Sequence, residues 1–382
     1  MKIFYAVQAD IPSKAAHSLH FMKQCQGLAA NGHEVYLIFP ATAANRKLTD
    51  RELYEYYNVE ASFKLVKIPY RSLPAKKLIY CLEVARYVSS KGGIFFTRDP
   101  DIASVGVFFG LKTMLELHAP LSSSLMRAKH VWKFLRNNLL KSAFLTKIIV
   151  ISDALKNNLI AGGIKESLIT VAHDGSDIPA KVTPIVFADT ENYNAEIGYT
   201  GHLYEGKGME IIIKVAAMLP KTRFHVVGGF DKDINYWKEK AAADNINNIV
   251  FHGFVKQSHI SAYIYAFDIC LLPNQRSIKV YGNSEANISD ITSPLKMFDY
   301  MAHGKAIISS DIAVLKEVLN EENAVLCDPD DAQAWANAME LLMGDNEKRS
   351  KLGNNALRDF EEKYTWKKRA ELIVNSFSNY SN

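Results

Sequence analysis

At 382 residues the chain is longer than a single ordinary hydrophobic core needs, and it fits two domains of about 190 residues each. Its 48% apolar and 23% charged residues argue against disorder, and no run of about 18 apolar residues predicts a membrane-spanning helix. The net charge of +4 hides an asymmetry: residues 1–185 carry 24 basic against 14 acidic side chains, and the remainder carries 21 against 27. The first half is therefore expected to face an anionic partner.

The cysteines and the N-terminus indicate the compartment. The four cysteines lie far apart in apolar segments and without the spacing of a metal site: Cys25, Cys81, Cys270 and Cys327. They predict buried free thiols in a cytosolic protein. The apolar segment Met1–Val7 is too short for a signal peptide and leads into a polar loop. A cytoplasmic location is therefore expected.

The first 40 residues predict the start of a parallel α/β sheet. A strand over 2–7, a polar loop, an amphipathic helix and a second strand over 34–39 form a βαβ unit. The loop lacks Gly-x-Gly-x-x-Gly, which argues against a nicotinamide-dependent dehydrogenase. Ser13 and His17 follow the first strand at the carboxyl edge of the sheet, where open α/β sheets bind ligands.

Two more polar side chains are expected at that edge. The buried strand at 94–97 ends at Arg98, and the strand at 112–117 ends at His118. A lone arginine or histidine at such a place is as often structural as functional. Both residues are candidates for contact with a ligand.

A basic segment follows. Leu121–Lys147 contains six Lys or Arg and no acid, and Lys129, Lys133 and Arg136 share one helical face beside Trp132. A solvated basic helix would explain the pattern, but basic residues next to apolar ones favour an anionic membrane surface. No recognised nucleic-acid-binding motif accompanies the charge, so we expect no nucleic acid partner.

The second half predicts a second sheet. A strand over 195–200 leads into a loop from Gly201 to Gly208 that nearly forms a P-loop, but Gly208 stands where Ser or Thr would bind Mg²⁺. This substitution argues against a Walker-type NTPase. Further strands are predicted over 224–229, which ends in a glycine turn at Gly228, and over 249–255, which includes Phe254. Asp328-Pro329-Asp330 follows a strand and precedes a helix, so helix capping explains these acids better than a metal does.

The segment from 293 to 310 predicts a helix and a buried strand. Ser293 is expected to cap the helix and Pro294 to occupy its first position. Leu295 begins the apolar face, and Lys296 lies in the first turn, the unfavourable end of the helix dipole for a cation. An anion bound beside Lys296 would explain this placement, because a helix N-terminus attracts anions.

This segment, Ser-Pro-Leu-Lys-x-Phe-(acid)-Tyr-Met-Ala-x-Gly-Lys, resembles the signature region of family 4 retaining glycosyltransferases, in a form common among enzymes of bacterial surface-polysaccharide synthesis. The resemblance covers nearly the whole chain and is strongest over 196–330. It implies the α/β GT-B fold, with two facing Rossmann-like, doubly wound parallel-sheet domains. The implied divisions are an acceptor-side domain at 1–178, a linker at 179–194, a nucleotide-sugar-binding domain at 195–362 and a helix at 363–382 that crosses back to the first domain.

The resemblance also implies roles for the candidate residues. His118 would lie near the donor sugar, while Lys207 and His202 (in place of the family's arginine) would hold the donor diphosphate. Asp299 occupies the position of a glutamate that binds the ribose, and the position of a second glutamate falls on Ile291, for which Asp290 or Glu285 could substitute. The implied donor contacts are Gly201, Gly228, Phe254, Ser293, Pro294, Leu295, Lys296, Asp299 and Arg98, and the acceptor-side residues are Ser13 and His17.

The implied activity is transfer of a sugar, with retention of its anomeric configuration, from a nucleoside-diphosphate donor to a saccharide acceptor. We expect a lipid-linked acceptor, no metal and no cofactor, and peripheral binding to the inner face of the plasma membrane. A sugar-nucleotide epimerase of the same fold and a non-catalytic nucleotide-sugar-binding protein are the alternatives. UDP and GDP donors both fit the sequence.

Overall fold

The structure, a computed structural model, describes residues 1–70, 75–120, 130–277, 279–280, 283–287 and 289–378. The chain forms two compact units: unit 1 comprises Met1–Asp174 and Trp366–Asn382, and unit 2 comprises Gly175–Thr365. Unit 2 thus begins a few residues before the predicted linker.

Unit 1 is built on a seven-stranded sheet in the order β3-β2-β1-β4-β5-β6-β7, and every neighbouring pair is parallel. The central strands are buried along nearly their whole length because helices cover both faces of a parallel sheet. The strands are β1 (Lys2–Ala6), β2 (Glu34–Ala41), β3 (Lys64–Pro69), β4 (Ile94–Thr97), β5 (Thr113–Leu117), β6 (Leu145–Val150) and β7 (Ile169–Val171).

Helices connect these strands. A capping box of Thr49 and Glu52 begins the second helix, because each side chain bonds the other residue's backbone N–H. The helices of the first segment are α1 (Ala16–Ala30), α2 (Asp50–Tyr57), α3 (Lys76–Lys91), α4 (Pro100–Phe108), α5 (His130–Leu139) and α6 (Asp153–Ala161).

The C-terminal helix, Trp366–Ser378, also belongs to unit 1. It packs against α1, where a side chain at Gly27 would collide with the carbonyl of Trp366. Ala370 and Ile373 of this helix are fully buried and join Met22 and Cys25 of α1 in one core. The glycine therefore permits the close approach on which this part of the core depends.

Unit 2 is built on a six-stranded parallel sheet in the order β10-β9-β8-β11-β14-β15, with a separate antiparallel pair, β12-β13. The strands are β8 (Glu196–Thr200), β9 (Arg223–Val227), β10 (Ile249–Gly253), β11 (Ile269–Leu272), β12 (Lys279–Val280), β13 (Asn283–Asn287), β14 (Ala306–Ser310) and β15 (Val325–Cys327).

The helices of unit 2 are α7 (Met209–Met218), α8 (Asp231–Ala243), α9 (Gln257–Ala266), α10 (Leu295–Ala302), α11 (Ala332–Gly344) and α12 (Asn346–Asp359). One capping prediction is wrong in detail. Asp331 caps α11, while the side chains of Asp328 and Asp330 pair with Arg276. Asp331 is the cap because it immediately precedes the first helical residue and its side chain reaches the free amide of Ala334.

The two parallel sheets confirm the predicted class of two Rossmann-like domains. The four cysteines are buried free thiols, as expected. Among the described residues, no helix combines the length and the apolarity needed to cross a bilayer.

Candidate active site

The glycine loop of unit 2 follows β8 at the carboxyl edge of the sheet. Gly201 and Gly208 have φ angles of +129° and +92°, which side-chain-bearing residues rarely adopt. A Cβ at Gly208 would collide with the carbonyl oxygen of Pro273, and one at Gly228 would collide with that of Gly201. The glycines therefore allow the backbone segments that follow β8, β9 and β11 to approach one another closely at this edge of the sheet.

The helix α10 begins one residue later than predicted. Pro294 is the N-cap residue, with ψ of 121°, and it forms no side-chain cap hydrogen bond. The prediction that Ser293 caps it is therefore wrong. Ser293 lies two residues before the first helical residue, Leu295, and Pro294 between them has an extended backbone, so Ser293 is not at the N-cap position. Ser293 and Pro294 are both buried, and Leu295 is half-buried.

Lys296 extends from the first turn of α10 toward the glycine loop. Its Nζ lies 3.5 Å from the ring centroid of Tyr199, and a Cβ at Gly201 would lie 3.1 Å from that nitrogen. The nitrogen is buried without a hydrogen-bond partner among the described residues. Burial, and then the charge of Lys207, hold the pKa of Lys296 well below its usual range. A buried ammonium without an acid partner is stabilised by a bound anion.

Lys207 lies in the same loop, and burial lowers its pKa to about 8. Its Nζ lies 5.2 Å from the ring centroid of Tyr204. Burial, Lys207 and Lys296 lower the pKa of His202 in that order of effect. The three predicted basic residues therefore interact electrostatically within one cluster.

Asp299 lies one turn after Lys296 on α10. One of its carboxylate oxygens accepts a hydrogen bond of 2.5 Å from the Ser176 hydroxyl. The adjacent Tyr300 fixes the helix to β8, because its hydroxyl oxygen accepts a hydrogen bond of 2.8 Å from the Thr200 N–H. Phe254, after β10, is 50% exposed. Asp299 is half-buried, and its assignment to the ribose stays a prediction.

In unit 1, His118 belongs to a buried network of charged groups. Its Nε2 lies 2.9 Å from Glu116 Oε1, the oxygen that also pairs with Arg369 Nη2 at 2.7 Å. His20 Nε2 lies 3.2 Å from the same oxygen and 3.1 Å from Asp174 Oδ1. Burial and the nearby Arg98 lower the pKa of His118 to about 4, so its imidazole is neutral at pH 7.

The sequence did not indicate three members of this network: His20, Asp174 and Arg369. They are separated by up to 349 positions in the numbering, and Arg369 joins the other two because the C-terminal helix packs against α1. The ligand atoms of His20, Glu116, His118 and Asp174 lie within 4.8 Å of one another, close enough to hold a metal ion. Arg369 already supplies positive charge to Glu116 there, and the expectation of no metal stays a prediction.

The remaining candidates of unit 1 lie near β1 and β4. His17 and Arg98 line the same pocket. Ser13 does not line it: its hydroxyl oxygen accepts a hydrogen bond of 3.0 Å from the Ala15 N–H and so shapes the loop before α1. Of the basic helical face, Lys129 lies outside the described residues, and so do the side chains of Trp132, Lys133 and Arg136. The side chain of Glu285 is also outside them.

Known proteins resemble both the sequence and the fold. Residues 194–345 match the sequence model of the family described as Glycosyl transferases group 1. The chain is 26% identical over 230 residues to an uncharacterized glycosyltransferase of Methanocaldococcus jannaschii, MJ1069, with 58% of this chain and 55% of the relative covered. The chain thus spans about half the length of the curated relative that it matches.

Three solved structures illustrate the likeness in fold. Anabaena Alr3699/HepE in complex with UDP has a TM-score of 0.72 and 16% identity, over 99% of this chain and 100% of that chain. A glycosyltransferase from Rickettsia africae ESF-5 has a TM-score of 0.73 and 15% identity, over 100% and 98%. Sucrose-phosphate synthase from Thermosynechococcus elongatus has a TM-score of 0.69 and 16% identity, over 99% and 98%.

The predicted GT-B fold is confirmed by these neighbours. The predicted enzyme class, a glycosyltransferase, is confirmed at the level of the domain at residues 194–345. That segment carries a domain of the group 1 glycosyl transferases. The narrower assignments, to family 4 and to surface-polysaccharide enzymes, stay predictions.

Proposed function

We propose that the protein is a retaining glycosyltransferase that moves a sugar from a nucleoside-diphosphate donor to a saccharide acceptor. The proposal rests on two buried lysines with lowered pKa values. Lys207 lies in the glycine loop, and Lys296 extends toward that loop from α10. Within the described residues, neither lysine forms an ion pair with a carboxylate. Two buried ammonium groups without acid partners are suited to a multiply charged anion.

The proposed role of the two lysines follows from the negative charge that develops on the leaving diphosphate during sugar transfer. When the bond between the sugar and the diphosphate breaks, negative charge grows on the departing phosphate oxygens, and preorganised cations lower that barrier. Lys207 and Lys296 supply this charge, and we propose that no metal ion or cofactor takes part. In a retaining transfer the acceptor hydroxyl attacks from the side of the leaving group and passes its proton to a phosphate oxygen.

The donor's nucleotide is proposed from the neighbours. Anabaena Alr3699/HepE is known in complexes with UDP and with UDP-glucose, and the neighbour TarM is known in a complex that contains UDP. These complexes support a uridine donor. Asp299 is proposed to hold the ribose, which requires its carboxylate to leave, or to share, the hydroxyl of Ser176.

We propose a lipid-linked acceptor and peripheral membrane binding, in the synthesis of surface polysaccharide. Large apolar side chains are exposed around a groove of unit 1, with Phe108 at 67% and Phe134 at 62%. Both line this groove together with Lys141. An apolar surface beside basic residues fits the interface of an anionic bilayer.

A non-catalytic nucleotide-sugar-binding protein is the second candidate. It is favoured by Ile291, whose buried hydrocarbon side chain stands where the resemblance expects a sugar-binding glutamate. The two candidates differ in turnover. A panel of UDP- and GDP-sugars, incubated with membrane lipid extract and followed by mass spectrometry, tests for a product one sugar heavier than the acceptor. Transfer with an unchanged anomeric configuration supports the proposal, and donor binding without any transfer contradicts it.

A further inference from the structure

A second basic pocket lies within unit 1. It has a volume of about 350 Å³ and opens at the carboxyl ends of β1 and β4. Its lining includes one aromatic and four ionisable side chains: Phe21, Arg98, His17, Lys77 and Asp99. The pocket is large enough for a phosphate group and part of the molecule that carries it.

Two of its charged groups are already paired. Lys77 forms ion pairs with Asp101 and, at 3.7 Å, with Asp99. The other oxygen of Asp99 accepts a hydrogen bond of 2.8 Å from the Asp101 N–H at the start of α4. Lys77 is therefore shared between two carboxylates, so this group of three carries a net charge of −1 when both are ionised, and neither ion pair involves Arg98.

Arg98 is different. Its Nη1 is buried and has no hydrogen-bond partner among the described residues. Its guanidinium carbon lies 5.2 Å from the ring centroid of Phe21, so the aromatic ring supports the flat face while the donors remain available. A guanidinium presents a fork of N–H donors that matches the oxygens of a phosphate. A buried donor without an acceptor is costly, and a bound oxyanion would remove that cost.

His17 lies on the same pocket and is electrostatically coupled to Arg98. Burial, then Arg98, then His20 lower the pKa of His17. Its imidazole is therefore neutral at pH 7, and its ring N–H can donate to a phosphate oxygen. A bound anion would offset the charge of Arg98, so the protonation of His17 reports on occupancy of the pocket.

We propose that this pocket binds a phosphate group of the acceptor, with Arg98 as the pairing cation and His17 as a hydrogen-bond donor. The inference rests on the proposed function, in which Lys207 and Lys296 of unit 2 take the donor diphosphate and leave the charge of Arg98 for another substrate. The acceptor class is thereby narrowed to phosphorylated saccharides, either sugar phosphates or saccharides on a prenyl diphosphate.

Histidine-detected NMR of the full chain tests the inference, with His17 assigned by comparison with His17→Gln. Inorganic phosphate is titrated against chloride at equal ionic strength, and the titration midpoint of His17 is followed. We expect phosphate to raise this midpoint in the wild type. Arg98→Gln should weaken phosphate binding at His17 by about 10-fold or more, as expected for loss of a charged hydrogen-bond partner. Lys76→Met is the matched control, because it removes an exposed charge next to Lys77 that does not line the pocket.

His202 provides an internal comparison, since it reports on the lysine cluster of unit 2 in the same spectra. A response at His202 without one at His17 would overturn the acceptor pocket and leave the proposed function standing. A response at His17 that survives Arg98→Gln at full strength would also overturn it. Glucose 1-phosphate and farnesyl diphosphate form the second arm. Tighter binding of the first supports a sugar phosphate acceptor, and tighter binding of the second supports a prenyl-linked one.

Discussion

Arg369 Nη2 lies 2.7 Å from Glu116 Oε1, and both side chains are almost completely buried. The guanidinium also donates to the carbonyl oxygen of His173 at 2.9 Å and to the side chain of Gln24. Although burial alone would raise it, Arg369 and His20 hold the pKa of Glu116 well below its usual range. The C-terminal helix thus supplies the charge that keeps the carboxylate beside His118 ionised.

We therefore predict that Arg369→Met destabilises unit 1 by about 3–5 kcal/mol, because it leaves a buried carboxylate without its partner. Chemical denaturation measures the change. The double variant Arg369→Met/Glu116→Gln should recover part of the loss, since it removes the uncompensated charge. Lys367→Met, an exposed cation two positions away on the same helix, is the control and should stay near wild type. Equal losses in Arg369→Met and Lys367→Met would show that the ion pair contributes nothing specific.

UDP binding should take up protons at alkaline pH. The pKa of Lys207 is about 8 in the free protein, so the lysine is partly neutral at pH 8.5. A diphosphate favours the charged form and raises the pKa, so protons are taken up from the buffer on binding. Because Lys207 is already protonated below pH 7, its binding-linked proton uptake should be small there, and it should become large above about pH 8.

Calorimetry in buffers of different ionisation enthalpy measures this uptake. Lys207→Met should reduce it, and the remainder comes from Lys296, whose pKa is also lowered. Lys214→Met, which removes an exposed cation on α7, should leave it unchanged. A binding enthalpy independent of the buffer at pH 8.5 would contradict the presence of a partly neutral lysine in the site.

Tyr199 should position Lys296 through its ring. The ring lies beneath the ammonium group, whereas the hydroxyl donates a hydrogen bond of 2.6 Å to the His202 carbonyl. Tyr199→Leu should weaken UDP binding by about 30-fold, because a desolvated cation–π contact contributes about 2 kcal/mol. Tyr199→Phe keeps the ring and should bind UDP nearly as well as the wild type. The two variants, compared by calorimetry after their folding has been verified, separate ring from hydroxyl; equal weakening in both would refute the assignment to the ring.

The exposed apolar surface of unit 1 should bind anionic vesicles. Phe108→Ser/Phe134→Ser should reduce co-sedimentation with phosphatidylglycerol vesicles several-fold, because each aromatic ring loses its burial in the interface. Tyr236→Ser, at an exposed aromatic residue of unit 2, is the matched control. Lys129→Glu/Lys133→Glu/Arg136→Glu should act in the same direction and more strongly at low salt. Binding that is indifferent to lipid charge and to both sets of changes would mean that this surface is merely solvated.

Regular apolar strands and helix-forming segments made much of the fold predictable. The strands ending near Arg98, His118 and Gly228 are found where their patterns place them. The cap of α10 was mispredicted because Ser-Pro fits two registers, and the extended backbone at Pro294 selects the later one. The pairing of Arg369 with Glu116 was not predictable, since it depends on how a distant helix packs rather than on local spacing. The cation–π contact of Lys296 with Tyr199 was missed for the same reason.

The most direct measurement is the acceptor-dependent release of nucleoside diphosphate from a donor sugar, compared between the wild type and Lys207→Ala. Removal of one preorganised electrostatic donor to the leaving group should lower turnover by about 10²-fold or more while the protein stays folded. Lys214→Ala should retain normal turnover. Near-normal release by a folded Lys207→Ala variant would contradict the assignment of this lysine to the departing diphosphate.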